Sequence, residues 1–146
     1  MRVMVFVKAT EDSESGLPPA EDMTEMFAAM GAYNDALIAA GVMKDGDGMK
    51  PTSAAKRIAF NGDSRTVIDG PFTPARDQVA GYWIWEVADM DEAVSWAKRC
   101  PNPMPGPSEL EIRPFYEASD FGDAITPELA QQEERQRAAL AAQNEA

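Results

Sequence analysis

Asp69 and Asp77 are the carboxylates whose setting best suits proton transfer. Asp69 ends an apolar run, Arg65-Thr66-Val67-Ile68, and Gly70-Pro71-Phe72 follow it. A carboxylate at a strand end gains basicity when partly buried and loses it beside a cation such as Arg76. The chain contains 0 histidines, which removes Ser-His, Cys-His and His-metal chemistry. Acid–base work therefore falls to carboxylates, tyrosine, lysine or the single cysteine, Cys100. Cys100 lies beside Pro101 without a neighbouring base and reads as a small buried residue. Within an active site the order is Asp69, then Asp77, Arg76 and Tyr82. The turn as a whole also has a structural reading, in which Asp69 bonds loop amides and Pro71 stops the strand.

A second constellation comes from strand alternation. Lys8, Tyr82, Glu86, Glu111 and Arg113 share one face with Met4, Phe6, Ile84 and Phe115. Val3, Val5, Val7, Trp83, Trp85, Leu110 and Ile112 fall on the other. Charges on such a face need partners wherever it is covered, which makes Glu86 and Arg113 candidate ligand anchors. A charge network that only fixes an interface accounts for the same residues equally well. Tyr33, three residues past Met30 on a helix, is a further ligand candidate and also reads as core. Gly46-Asp47-Gly48 lacks the Gly-Lys-Ser/Thr ending of a phosphate loop. Asp45 and Asp47 do not match calcium-loop spacing, and the segment reads as a plain turn. No metal or other cofactor is expected.

The elements that position these residues follow from pattern. Residues 2–8 alternate as a strand. A helix starts near Ala20, carries Met23, Met26, Phe27, Met30, Leu37 and Ile38 at helical spacing, and stops at Gly41. Asn61-Gly62 joins 57–60 to 65–68 as a hairpin. Residues 79–87 are apolar on both faces and predict a central strand covered on both sides. Asp89 and Glu92 form a capping box before a helix that ends at Pro101. Residues 110–116 alternate as a last strand, and Thr126-Pro127 opens a final helix. The order predicts an α+β fold, a ferredoxin-like split βαβ with an added hairpin strand and a C-terminal helix. The domain is expected over 1–116, with an acidic helical extension over 117–146.

Composition narrows the function classes. With 45% apolar and 26% charged residues, 146 residues suit one self-sufficient core. A net charge of -12 repels phosphate backbones, which argues against direct nucleic-acid binding. The opening segment lacks leader features and no run reaches membrane-span length, so a cytoplasmic location is expected.

Met30-Gly31-Ala32-Tyr33-Asn34, Ala40-Gly41-Val42, Asp69-Gly70-Pro71-Phe72, Gly81-Tyr82, Asp91-Glu92-Ala93 and Cys100-Pro101 occur in one order. In that order the chain resembles the DGPF branch of the YCII-related family over residues 1–116. The resemblance implies a dimeric α/β-barrel arrangement, with the mixed sheet face meeting a second copy. It also implies a pocket near the DGPF turn and that interface. A His-Asp pair implied by related proteins has no counterpart here. Three functions follow: a dimeric small-molecule-binding protein; a carboxylate-based isomerase, lyase or dehydrohalogenase-like enzyme; or a regulatory protein associated with a sigma factor, as some relatives imply.

Overall fold

The computed structural model describes residues 1–145. The chain forms two compact units, Met1–Phe115 and a second that starts at Tyr116. In the first, the alternating valines make strand β1, Arg2–Lys8. A single capped turn follows as α1, Glu11–Glu14, within a segment whose acidic and proline residues read as loop. Thr10 Oγ1 accepts from Ser13 N at 3.2 Å and Ser13 Oγ accepts from Thr10 N at 2.9 Å, satisfying both donors at its start.

Helix α2 spans Ala20–Ala39. Gly41, at φ +73°, ends it in a Schellman turn. Gly41 N donates to Ile38 O and Val42 N to Leu37 O, both at 2.9 Å. The buried side chains of Leu37 and Val42 bracket that turn. Strand β2, Met43–Gly48, occupies the segment that reads as a turn. Strands β3, Lys56–Asn61, and β4, Ser64–Asp69, form the expected hairpin as a separate two-stranded sheet. Then come β5, Val79–Glu86, helix α3, Met90–Lys98, and β6, Leu110–Pro114. The main sheet has the order β2-β5-β1-β6, antiparallel throughout, which is the ferredoxin-like arrangement. The second unit carries α4, Pro127–Glu145, where Thr126 Oγ1 accepts from Leu129 N at 3.2 Å.

The core sits on one face of the main sheet. Trp85, Leu37, Val3 and Val5 are fully buried there, with Val7, Trp83, Tyr33, Val42, Val87 and Ala93. Each large side chain so placed contributes about 1.5–3 kcal/mol. Leu110 and Ile112 pack against this cluster, as their alternation predicts. β5 is central but is buried on this face only; Met4, Phe6, Tyr82 and Ile84 on the opposite face are half-buried. Two polar bonds fix α2. Tyr33 Oη donates to Trp96 O at 2.6 Å, and Trp83 Nε1 donates to Asn34 Oδ1 at 2.9 Å. Asp89 caps α3 by accepting from Glu92 N at 2.9 Å, while Glu92 reaches one residue further back, to Ala88 N. Phe27 and Ile38, on the helical spacing of α2, are 62% and 58% exposed, so the stripe is wider than the face that packs.

Candidate functional site

A concave site forms where β2 withholds side chains. In register, Met43 lies opposite Trp85, Gly46 opposite Trp83 and Gly48 opposite Gly81. Directly opposed residues point to the same face. Gly46, Gly48 and Gly81 therefore occupy helix-facing positions, while Asp45 and Asp47 point the other way. Where an apolar side chain would fill the layer between sheet and helix, Gly48 leaves space, while a Cβ at Gly81 would lie 3.0 Å from Asp47 O. A Cβ at Gly48 would meet nothing within 4 Å. One at Gly46 would lie 2.9 Å from Trp83 Cδ1, so that glycine serves a close approach.

The resulting cleft has a volume of about 300 Å³, within the range of small-molecule sites. Met26, Phe27 and Met30 of α2 form one wall, and Met43, Trp83 and Met104 add to its apolar surface together with Val7, Ala80 and Pro103. Thioethers are polarisable and adaptable, and they pack well on ring edges. Asn34 supplies a polar group to the lining. Indole Nε1–H only donates, so its bond to Asn34 must be accepted by Oδ1. That fixes the amide orientation and leaves Nδ2 as the free end; among the described residues it has no hydrogen-bond partner. Asp47 also borders the cleft, with Oδ1 accepting from Gly48 N at 2.9 Å. Among the described residues, no lysine or arginine lines it.

Asp69, Arg76 and Asp77 do not line this cleft. Asp69 is 73% exposed and pairs with Lys56 Nζ at 2.5 Å, directly across the hairpin. Its neighbours form a tether. Gly70 N donates to Ala55 O at 2.9 Å, and Phe72 N donates to Thr52 Oγ1 at 3.0 Å. A Cβ on Gly70 would stand 1.7 Å from Thr52 O, so only glycine permits this approach. The Glu14 carboxylate accepts from both the amide and the hydroxyl of Thr52. Arg57 lies 3.7 Å from the centre of the Phe72 ring and donates to Gln78 Oε1 at 3.3 Å. Gln78 is buried, and its Nε2 donates to Pro74 O. Arg76 and Asp77 sit exposed in the short 3₁₀ turn between them.

Of the remaining candidates, Tyr82, Glu86 and Arg113 share the sheet face opposite the core, and Tyr33 does not. Tyr33 is buried in the core, and burial, aided by the nearby Cys100 thiol, pushes its hydroxyl pKa far up. Tyr82 borders the cleft, yet its register partners Phe6 and Asp47 put its side chain on the opposite face. That face carries Asp47, Tyr82, Phe6 and Glu111 in one row, then Asp45, Ile84, Met4 and Arg113 in the next. Arg113 is exposed, and Glu86 lies 3.3 Å from the Met1 amino group. The cleft residues that sequence reasoning did not assign to a site include Met26, Met30, Asn34, Met43, Gly48 and Met104. Their one collective signal is methionine content, 9 in the chain.

Among the described residues, no helix is long and apolar enough to cross a membrane. One solved structure aligned with this chain is 5-chloro-2-hydroxyhydroquinone dehydrochlorinase (TftG) from Burkholderia phenoliruptrix AC1100, in complex with 2,5-dihydroxybenzoquinone. The alignment has a TM-score of 0.47 and 16% identity, and covers 82% of this chain and 98% of that one. An uncharacterized protein of Rhizobium meliloti (strain 1021) is 32% identical over 65 residues, which is 44% of this chain. The match takes in 52% of that relative, about half its length. The YCII-related domain matches residues 1–116, the whole of the first unit and one residue beyond it, and the chain belongs to that family.

Proposed function

We propose that this YCII-related protein binds a small molecule in the methionine-lined cleft between α2 and the β2–β5 edge of the sheet, and does so as a homodimer. The carrying observation is that the helix-facing edge position Gly48 opens onto free space beside a wall of methionine, phenylalanine and tryptophan. The sequence-expected position beside the DGPF turn is not favoured, because Asp69 is already paired with Lys56 in solvent. Dimerisation is assigned to the opposite sheet face. There the half-buried Met4, Phe6, Tyr82 and Ile84 form an apolar centre between an acidic end, Asp45 and Asp47, and a mixed end, Glu111 and Arg113. Sedimentation equilibrium of the wild type and Ile84→Arg tests this part: a monomeric wild type overturns it.

Fluorescence of the uncharged probe N-phenyl-naphthylamine tests the cleft. Wild-type protein should enhance its emission with saturable binding. Gly48→Leu, which places a side chain in the vacant space, should abolish the enhancement while circular dichroism is unchanged. Equal enhancement in both proteins would remove the cleft as the binding site.

A further inference from the structure

We infer that the cleft selects an uncharged, flat, ring-containing molecule that offers a hydrogen-bond acceptor to the Asn34 amide; the inference rests on the cleft being the binding site. Three features converge. The first is the free end of Asn34. Trp83 Nε1, a donor only, holds Asn34 Oδ1 at 2.9 Å, so both Nδ2 protons remain for another partner. A carbonyl or ring-nitrogen acceptor satisfies them, whereas a second donor leaves them opposed. The second is wall chemistry. Met26, Met30, Met43 and Met104 present thioethers, with Phe27 and Trp83 beside them. Such a wall favours ring edges and faces over flexible chains. The third is charge. Asp47 borders the cleft, no lysine or arginine lines it among the described residues, and the chain carries -12 overall. An anion entering this space loses hydration without gaining a counter-charge. The volume of about 300 Å³ suits a molecule of one or two rings.

Competition against bound N-phenyl-naphthylamine, with calorimetry on the full chain, tests the inference using three probes of one skeleton size: tetralone, tetralin and naphthoate. Tetralone should bind about tenfold tighter than tetralin, the effect of one satisfied hydrogen bond, and naphthoate weakest. Asn34→Asp keeps an oxygen for Trp83 Nε1 and removes both amide protons. It should erase the ketone preference while tetralin still binds. In the wild type, tetralone should also shift the Asn34 side-chain amide proton resonances. If tetralone and tetralin bind equally and Gly48→Leu blocks both, the acceptor assignment fails and the cleft stands. If naphthoate binds tightest, the charge argument fails. If no probe binds, the cleft reading and this inference fall together.

Discussion

Gly48→Leu and Gly46→Ala are expected to move stability in opposite directions, although the glycines are two residues apart on one strand. Gly48 is a strand residue at ordinary φ whose Cβ would meet open space. Replacing it removes the backbone-entropy penalty of glycine, about 0.5–1 kcal/mol. Partial burial of leucine against the cleft walls adds about 1–1.5 kcal/mol, half the value for full burial. Lost rotamer freedom takes back about 0.5–1 kcal/mol. The net is a gain of about 0.5–2 kcal/mol, or roughly 1–8 °C in Tm for a chain of this size. At Gly46 the added methyl would press on Trp83 Cδ1 at 2.9 Å and Tyr82 O at 3.2 Å. Trp83 is held by Asn34 and cannot swing away without breaking that bond, so Gly46→Ala should cost about 1–3 kcal/mol. Urea denaturation and calorimetry read both changes, and probe fluorescence reads the cleft. A destabilised Gly48→Leu, or one that is stabilised and still binds the probe, would refute the claim that β2 creates the space by omitting side chains.

Other predictions follow from the tether and the core. Gly70→Ala forces a Cβ against Thr52 O and should cost about 3 kcal/mol or more in urea denaturation; a loss below about 1 kcal/mol would contradict the close approach. Tyr33→Phe should cost about 1 kcal/mol by removing the hydrogen bond to Trp96 O, with probe binding intact. Burial pushes the Cys100 thiol from its ordinary 9.0 up to about 11. The folded chain therefore holds a proton that the unfolded chain releases between those values. The associated stability is complete below pH 9 and falls as pH rises toward 11. Denaturation midpoints between pH 9 and 10 should drop less in Cys100→Ser than in the wild type, and native Cys100 should alkylate with iodoacetamide far more slowly than the unfolded chain.

Much of the fold is legible in the sequence because its signals are strong and local. Val3, Val5 and Val7 alternate against a buried face, Gly41 stops α2, and Asp89 and Thr126 cap the helices that follow them. β2 is not legible. Asp45-Gly46-Asp47-Gly48 has turn composition, and pairing with β5 is what makes it a strand. The cleft is hidden for the same reason, since it is made of absent side chains and of methionines from distant segments. Asp69 drew attention as an isolated carboxylate. Its partner Lys56 is 13 residues away and comes opposite it only through the hairpin register.

The Asp69–Phe72 string fastens an arm rather than serving the cleft. A hairpin of two strands alone has little stability in water, and every residue of β3 and β4 is exposed. What keeps it in place is at its root, where Gly70 presses on Thr52 and Phe72 lies beneath Arg57. A string maintained by backbone contact makes no demand on the residues that line the cleft. Chains that share it would share a joint, while the preferences of their clefts could diverge through positions such as Asn34 and Gly48 without disturbing that joint.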